Sequence, residues 1–131
     1  MNNPGKKIVV ERTLTQADFD NFAALSGDDN PIHVDPVFSA ESQFGRTVAH
    51  GFLINTILRG LLDTLVPGGR QLSQSLIFPA PTYADELMRF AVSISSDDGS
   101  VVKATMSSTR ADGDVVTCEG FTEIQRESSR A

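Results

Sequence analysis

A carboxylate and an imidazole stand five positions apart in Ser26-Gly27-Asp28-Asp29-Asn30-Pro31-Ile32-His33. Gly27 punctuates the stretch on one side. Pro31 has no N–H to donate and biases Asn30 toward an extended backbone. The segment therefore reads as a stiff, non-helical connector carrying two proton-transfer groups, Asp28 and His33. Such a pair can take a proton from one atom and return one to another near neutral pH. The bland alternatives are a turn-capping aspartate and a structural histidine. Two such groups on one rigid connector favour the chemical reading.

The elements that must hold this connector follow from the patterning. Ile8 to Thr13 is rich in β-branched residues and predicts a strand. Thr15 with Asp18 forms a capping box, and Phe19, Phe22 and Ala23 share one face of the helix it opens. Gly27 should end that helix, so Asp28 emerges just past its terminus. Asp35-Pro36 starts a second, short helix over Val37 to Phe44, stopped by Gly45. A third helix runs from about His50 to Val66. Its residues Phe52, Leu53, Ile54, Ile57, Leu58, Leu61, Leu62 and Leu65 predict a mostly buried element. Pro67-Gly68-Gly69 stops it.

Beyond it the period changes from 3.6 to 2. Strands are predicted over Leu72 to Phe78, Glu86 to Ser95, Val101 to Arg110 and Val115 to Ile124. Turn signals at Asp98-Gly99 and Asp112-Gly113 separate the last three. Met88, Phe90, Val92 and Ile94 share one face. The expectation is an α+β fold: an antiparallel meander curved around the apolar helix.

The chain has 131 residues, the size of a single domain (1–131, core about 8–124). It carries 40% apolar and 21% charged residues, enough to build a core and too few charges for a disordered polymer. A formal charge of −6 argues against nucleic acid as a partner. No apolar run reaches the roughly 18 residues needed to span a bilayer. Met1 to Lys7 lacks the apolar stretch of a secretory signal. The single Cys118 cannot form an internal disulfide and is expected to be a small buried apolar group. A cytoplasmic setting fits. The stretch Arg126 to Ala131 is expected to be a frayed tail.

Two motifs carry a family resemblance: Gly27-Asp28-Asp29-Asn30-Pro31-Ile32-His33 with Asp35-Pro36, and Phe44-Gly45-Arg46-Thr47-Val48-Ala49-His50-Gly51. In order and spacing, over about Thr13 to Ile124, the chain resembles the MaoC-like hotdog-fold hydratases, above all the (R)-specific enoyl-CoA hydratases. The resemblance implies a single hotdog per chain and a homodimer whose sheets join. It assigns Asp28 and His33 as the catalytic pair. It makes the backbone N–H of Gly51 the donor to the thioester carbonyl, with an acyl-CoA thioester as partner and no cofactor. Arg59 departs from it, standing where some relatives carry a small or uncharged residue facing the acyl pocket.

Adding water to a 2-enoyl thioester requires a base for the water, a proton for C2 and a donor for the thioester oxygen. An ionised Asp28 and a neutral His33 gripping one water meet the first two needs. A fixed N–H at a helix N-terminus meets the third. Asn30 is expected to orient the connector through its side chain, and His50 to hold the helix start. No metal is required, since His33 and His50 lack a convincing third ligand. The alternatives are a 3-hydroxyacyl-ACP dehydratase, a hotdog thioesterase and a non-catalytic acyl-thioester-binding subunit. Asn55 is amidic and Asp63 lies near the helix end, which disfavours the thioesterase. The intact Asp28/His33 pair disfavours the binding subunit.

Overall fold

The structure, a computed structural model, describes residues 5–127. Its elements in chain order are β1 (Lys7–Thr13), α1 (Gln16–Ser26), α2 (Pro31–Val34), α3 (Pro36–Ala40), α4 (Gly51–Leu65), β2 (Arg70–Ile77), β3 (Leu87–Asp97), β4 (Val101–Arg110) and β5 (Val115–Gln125). The strands form one antiparallel sheet in the order β1-β3-β4-β5-β2. This curved sheet around one long helix is the hotdog arrangement.

The four-strand meander read from the sequence holds only for β3, β4 and β5. β2 pairs with the far side of β5, from Arg70 opposite Gln125 to Ile77 opposite Glu119. The reason lies in the connections. A tight Asp-Gly turn signal follows β3 and β4, whereas β2 is followed by Phe78-Pro79-Ala80-Pro81, whose prolines lack the donors a hairpin needs. The β2–β5 approach also demands a residue without a side chain. A Cβ on Gly120 would lie 1.8 Å from the Ser75 carbonyl oxygen.

The capping box of α1 forms as read: Thr15 Oγ1 accepts from Asp18 N–H, and the Asp18 carboxylate accepts from Thr15 N–H. Gly27 closes the helix in the left-handed conformation at φ 81°. Two boundaries differ from expectation. The helix at Asp35-Pro36 stops at Ala40 rather than Phe44, its cap Asp35 accepting from both Val37 and Phe38. The connector is not wholly irregular, because Pro31–Val34 makes one helical turn. Proline disfavours helix at the residue before it and is well placed as a first helical residue, so Asn30-Pro31 opens a turn.

The core lies between α4 and the sheet. Ile54, Leu58 and Leu62 meet Met88, Phe90, Val92 and Ile94 of β3 and Val102 and Met106 of β4. Each such side chain contributes roughly 1.5–3 kcal/mol when buried. Cys118 is buried with them. The helix is less enclosed than its composition predicts, since Phe52 is 75% exposed. Arg126 is not frayed: its N–H donates to Ser100 O at 2.8 Å and its guanidinium pairs with Asp97. The rest of the expected tail, 128–131, and Met1 to Pro4 lie outside the described residues.

Candidate active site

α1 delivers Asp28 and the α2 turn delivers His33. Past the left-handed Gly27, Asp28 N–H donates to Ser26 Oγ at 3.1 Å, which folds the chain back over the end of α1. Asn30 is the α2 cap, its Oδ1 accepting from Ile32 N–H at 3.1 Å. It therefore orients the backbone that carries His33 rather than touching the imidazole. Gln16 and Ser39 pin the same turn. Gln16 Nε2 donates to the His33 carbonyl at 2.8 Å, while its Oε1 accepts from Thr47 Oγ1 at 2.7 Å. The buried Ser39 hydroxyl lies 3.3 Å from the Pro31 and Ile32 carbonyls.

The fold brings Asp28 and His33 together: Asp28 Oδ2 lies 3.9 Å from His33 Nε2. The hydrogen bonds around the ring fix its tautomer. His33 Nδ1 lies 2.8 Å from the Val48 carbonyl oxygen. A carbonyl only accepts, so Nδ1 donates and Nε2 of the neutral ring carries the lone pair. Two acceptors thus face each other across a gap too long for a direct hydrogen bond. The His33 side chain is 14% exposed and that of Asp28 53%, so the gap opens to solvent.

His50 is the third member of the cluster. It is almost fully buried, and its Nε2 donates to the Asp28 carbonyl at 2.8 Å. Its ring stacks on His33 with centroids 3.8 Å apart and planes inclined by 23°, and Phe22 meets it in an edge-type contact with centroids 4.9 Å apart. The expectation that its side chain holds the helix start is corrected: His50 is the cap residue of that helix but makes no side-chain hydrogen bond to it, and its ring clamps the connector instead. Donor atoms of Asp28, His33 and His50 all lie within 4.8 Å of one another. The two rings lie face to face, however, whereas zinc-type coordination needs their lone pairs to converge at about 2.0 Å from one point. The cluster suits proton transfer better than metal binding.

Gly51 opens α4, with His50 as its cap. As at any helix start, its N–H has no intrahelical acceptor, and none of the described residues supplies one. A cavity of about 370 Å³ adjoins it, lined by Val48, Ala49, Thr82 and Thr117 among others. A second cavity of about 370 Å³ lies between α4 and β2, lined by Gly51, Phe52, Asn55, Gln74, Leu76 and Phe78. Phe78 borders both cavities. A Cβ on Gly51 would meet Phe78 Cζ at 3.1 Å. Asp28 and His33 line neither cavity, although Val48 joins the His33 ring to the wall of the first.

Arg59 is half-buried and turned toward the start of β2, donating to the Gly69 carbonyl at 3.1 Å. Sequence reasoning overlooked Gln16, Ser39 and Phe22, whose roles arise from contacts between distant segments. It read Asn55 only as an amide that disfavours a thioesterase; a polar residue within an apolar helix was the further signal.

Comparison with known proteins agrees with this fold. The MaoC like domain family matches residues 1–114. The chain is 35% identical over 94 residues to the (R)-specific enoyl-CoA hydratase of Aeromonas caviae, covering 70% of each chain. It is 29% identical over 114 residues to the 3-hydroxybutyryl-CoA dehydratase of Methylorubrum extorquens, covering 86% of this chain and 73% of that one. Among solved structures, the A. caviae (R)-hydratase superposes with a TM-score of 0.88 at 27% identity, covering 95% of this chain and 97% of the other. The family match over residues 1–114, on a fold of five antiparallel strands around one long helix, places this chain in the MaoC-like domain family.

Proposed function

We propose that the protein reversibly adds water across the double bond of a trans-2-enoyl-CoA to give the (R)-3-hydroxyacyl-CoA. The observation that carries this reading is the 3.9 Å gap between Asp28 Oδ2 and His33 Nε2. Both atoms are acceptors, and one water can bridge them by donating to each. Its oxygen then attacks C3, one of its protons passes to the pair, and the pair returns a proton to C2. The remaining O–H becomes the product hydroxyl, so the balance closes without a cofactor. The two sites act as a coupled unit. The Gly51 N–H takes the thioester oxygen as it gains charge, aided by the positive end of α4. Asn30 and His50 hold the pair in place, and Arg59 closes the acyl side.

The names of the relatives support the reading from both directions of one reaction, hydratase in A. caviae and dehydratase in M. extorquens. They also support CoA as carrier and the (R) configuration. The whole chain serves as a single domain, core about 8–124, and the lone reduced Cys118 suits the cytoplasm. Among the described residues, no helix is long and apolar enough to cross a membrane.

A homodimer completes the site in this reading. β2 is a sheet edge, and Leu72, Ile77, Phe78 and Phe52 beside it are exposed. Such an edge invites pairing with a second copy. Joining the sheets there covers the cavities at Gly51 and supplies the wall that the solvent-facing Asp28 lacks. The test is an absorbance assay at the enoyl-thioester band across acyl lengths, with chiral analysis of the product. Loss of the band with (R) product supports the reading. Release of free thiol without hydration contradicts it and points to a thioesterase.

A further inference from the structure

The buried stripe of α4 is Ile54, Leu58, Leu62 and Leu65, and the half-buried Asn55 stands beside it, one turn after Gly51 and one turn before Arg59. Asn55 Oδ1 is buried and has no hydrogen-bond partner. Its amide borders the cavity between α4 and β2 that Gly51 also lines. The other amide there, Gln74, has its Oε1 taken by Gln71 Nε2 at 3.0 Å. Folding gives no reason for this asparagine. Leucine or alanine forms helix better, and an unpaired buried acceptor costs stability. A buried, unpaired acceptor on a half-buried side chain beside an unpaired backbone N–H is the arrangement of a binding site, where a few placed polar groups orient a ligand in an apolar wall.

We propose that Asn55 is a specificity-determining residue whose amide oxygen accepts a hydrogen bond from an N–H or O–H of the bound thioester. The inference rests on the thioester reading above and deepens it. One helical turn separates Asn55 from Gly51, about 6 Å along the axis. With the thioester oxygen on the Gly51 N–H, the partner group lies that far away. It is either an amide N–H of the carrier arm or a hydroxyl on the acyl chain. A site built to hold such a donor rejects an analogue lacking it, because its own acceptor is then left unpaired.

The experiment measures dissociation constants for two unreactive saturated thioesters, hexanoyl-CoA and 6-hydroxyhexanoyl-CoA, by calorimetry. The proteins are the wild type, the isosteric Asn55→Leu, and Asn55→Asp, which keeps an acceptor. Turnover of the matching 2-enoyl thioesters and the oligomeric state are measured in parallel. Asn55→Leu is expected to weaken binding about 10- to 100-fold, with Asn55→Asp recovering part of the loss. Equal weakening of both ligands assigns the donor to the carrier arm. Weakening confined to the hydroxylated ligand assigns it to the acyl chain. Unchanged affinities for both, or a change in oligomeric state as the sole effect, overturn the proposal. If the wild type binds both thioesters but hydrates neither enoyl form, the hydratase reading fails while the affinities still decide the role of Asn55.

Discussion

His33 and His50 lie face to face, ring centroids 3.8 Å apart, and the same His50 ring holds the Asp28 carbonyl at 2.8 Å. One buried side chain thus fixes both halves of the proposed proton-transfer pair. Removing it frees Asp28 to drift, and a displacement near 1 Å at reacting groups costs on the order of 100-fold. His50→Ala is expected to lower kcat by about 10- to 100-fold with a smaller change in KM. His50→Gln, which can still donate to the Asp28 carbonyl, should recover part of the loss. Steady-state kinetics checked against the melting temperature separates this from simple unfolding. An unchanged kcat in folded His50→Ala sinks the clamp.

Much of this arrangement was legible in the residues themselves. Local rules placed the Thr15 cap, the Gly27 stop, the long helix and the alternation of β3. The spacing of Asp28 and His33 pointed to a candidate site, to which the resemblance to the MaoC-like hydratases added Gly51. What escaped was non-local. The pairing of β2 with β5 depends on Gly120 meeting Ser75, and periodicity carries no record of which strands become neighbours. The stack of His33 on His50 joins residues 17 positions apart. The turn at Pro31–Val34 was missed because Pro31 was read as a breaker when its position made it a helix start.

Gly51 offers a test that deletes one proton without deleting a side chain. Proline is tolerated at a first helical position, and His50 already has the extended backbone that proline requires before it. Gly51→Pro is therefore expected to keep the circular dichroism of the wild type and lose roughly 10²–10³ in kcat. Gly51→Ala keeps the N–H and adds a comparable clash with Phe78, so it serves as the control. Equal losses in the two variants assign the effect to crowding rather than to the donor.

Burial pushes the Cys118 thiol up to about 11, with the nearby Glu119 charge adding to the effect. The folded state therefore holds its thiol proton more tightly than the unfolded chain does. Stability from this group is complete below the unfolded thiol value and is lost as pH rises from about 9 toward 11. Denaturant midpoints should fall over that window in the wild type and fall less in Cys118→Val. At pH 8 the native thiol should resist alkylation and react once the chain is unfolded.

Arg59 ties the middle of α4 to the Gly69 carbonyl on the way into β2. Arg59→Ser removes that guanidinium from the side on which the acyl chain is proposed to lie. Activity on longer 2-enoyl-CoA substrates is expected to rise relative to crotonyl-CoA. A chain-length profile identical to that of the wild type places Arg59 outside the acyl path.

The proposed water between Asp28 and His33 carries the whole account, and turnover of crotonyl-CoA by Asp28→Asn and His33→Ala tests it most directly. Asparagine keeps the size of Asp28 but is a far weaker base, and alanine removes the lone pair at Nε2. Each variant is expected to remain folded and to lose roughly 10²–10⁴ in kcat, with the double variant little worse than either single one. Hydration at the wild-type rate by either folded variant contradicts the account.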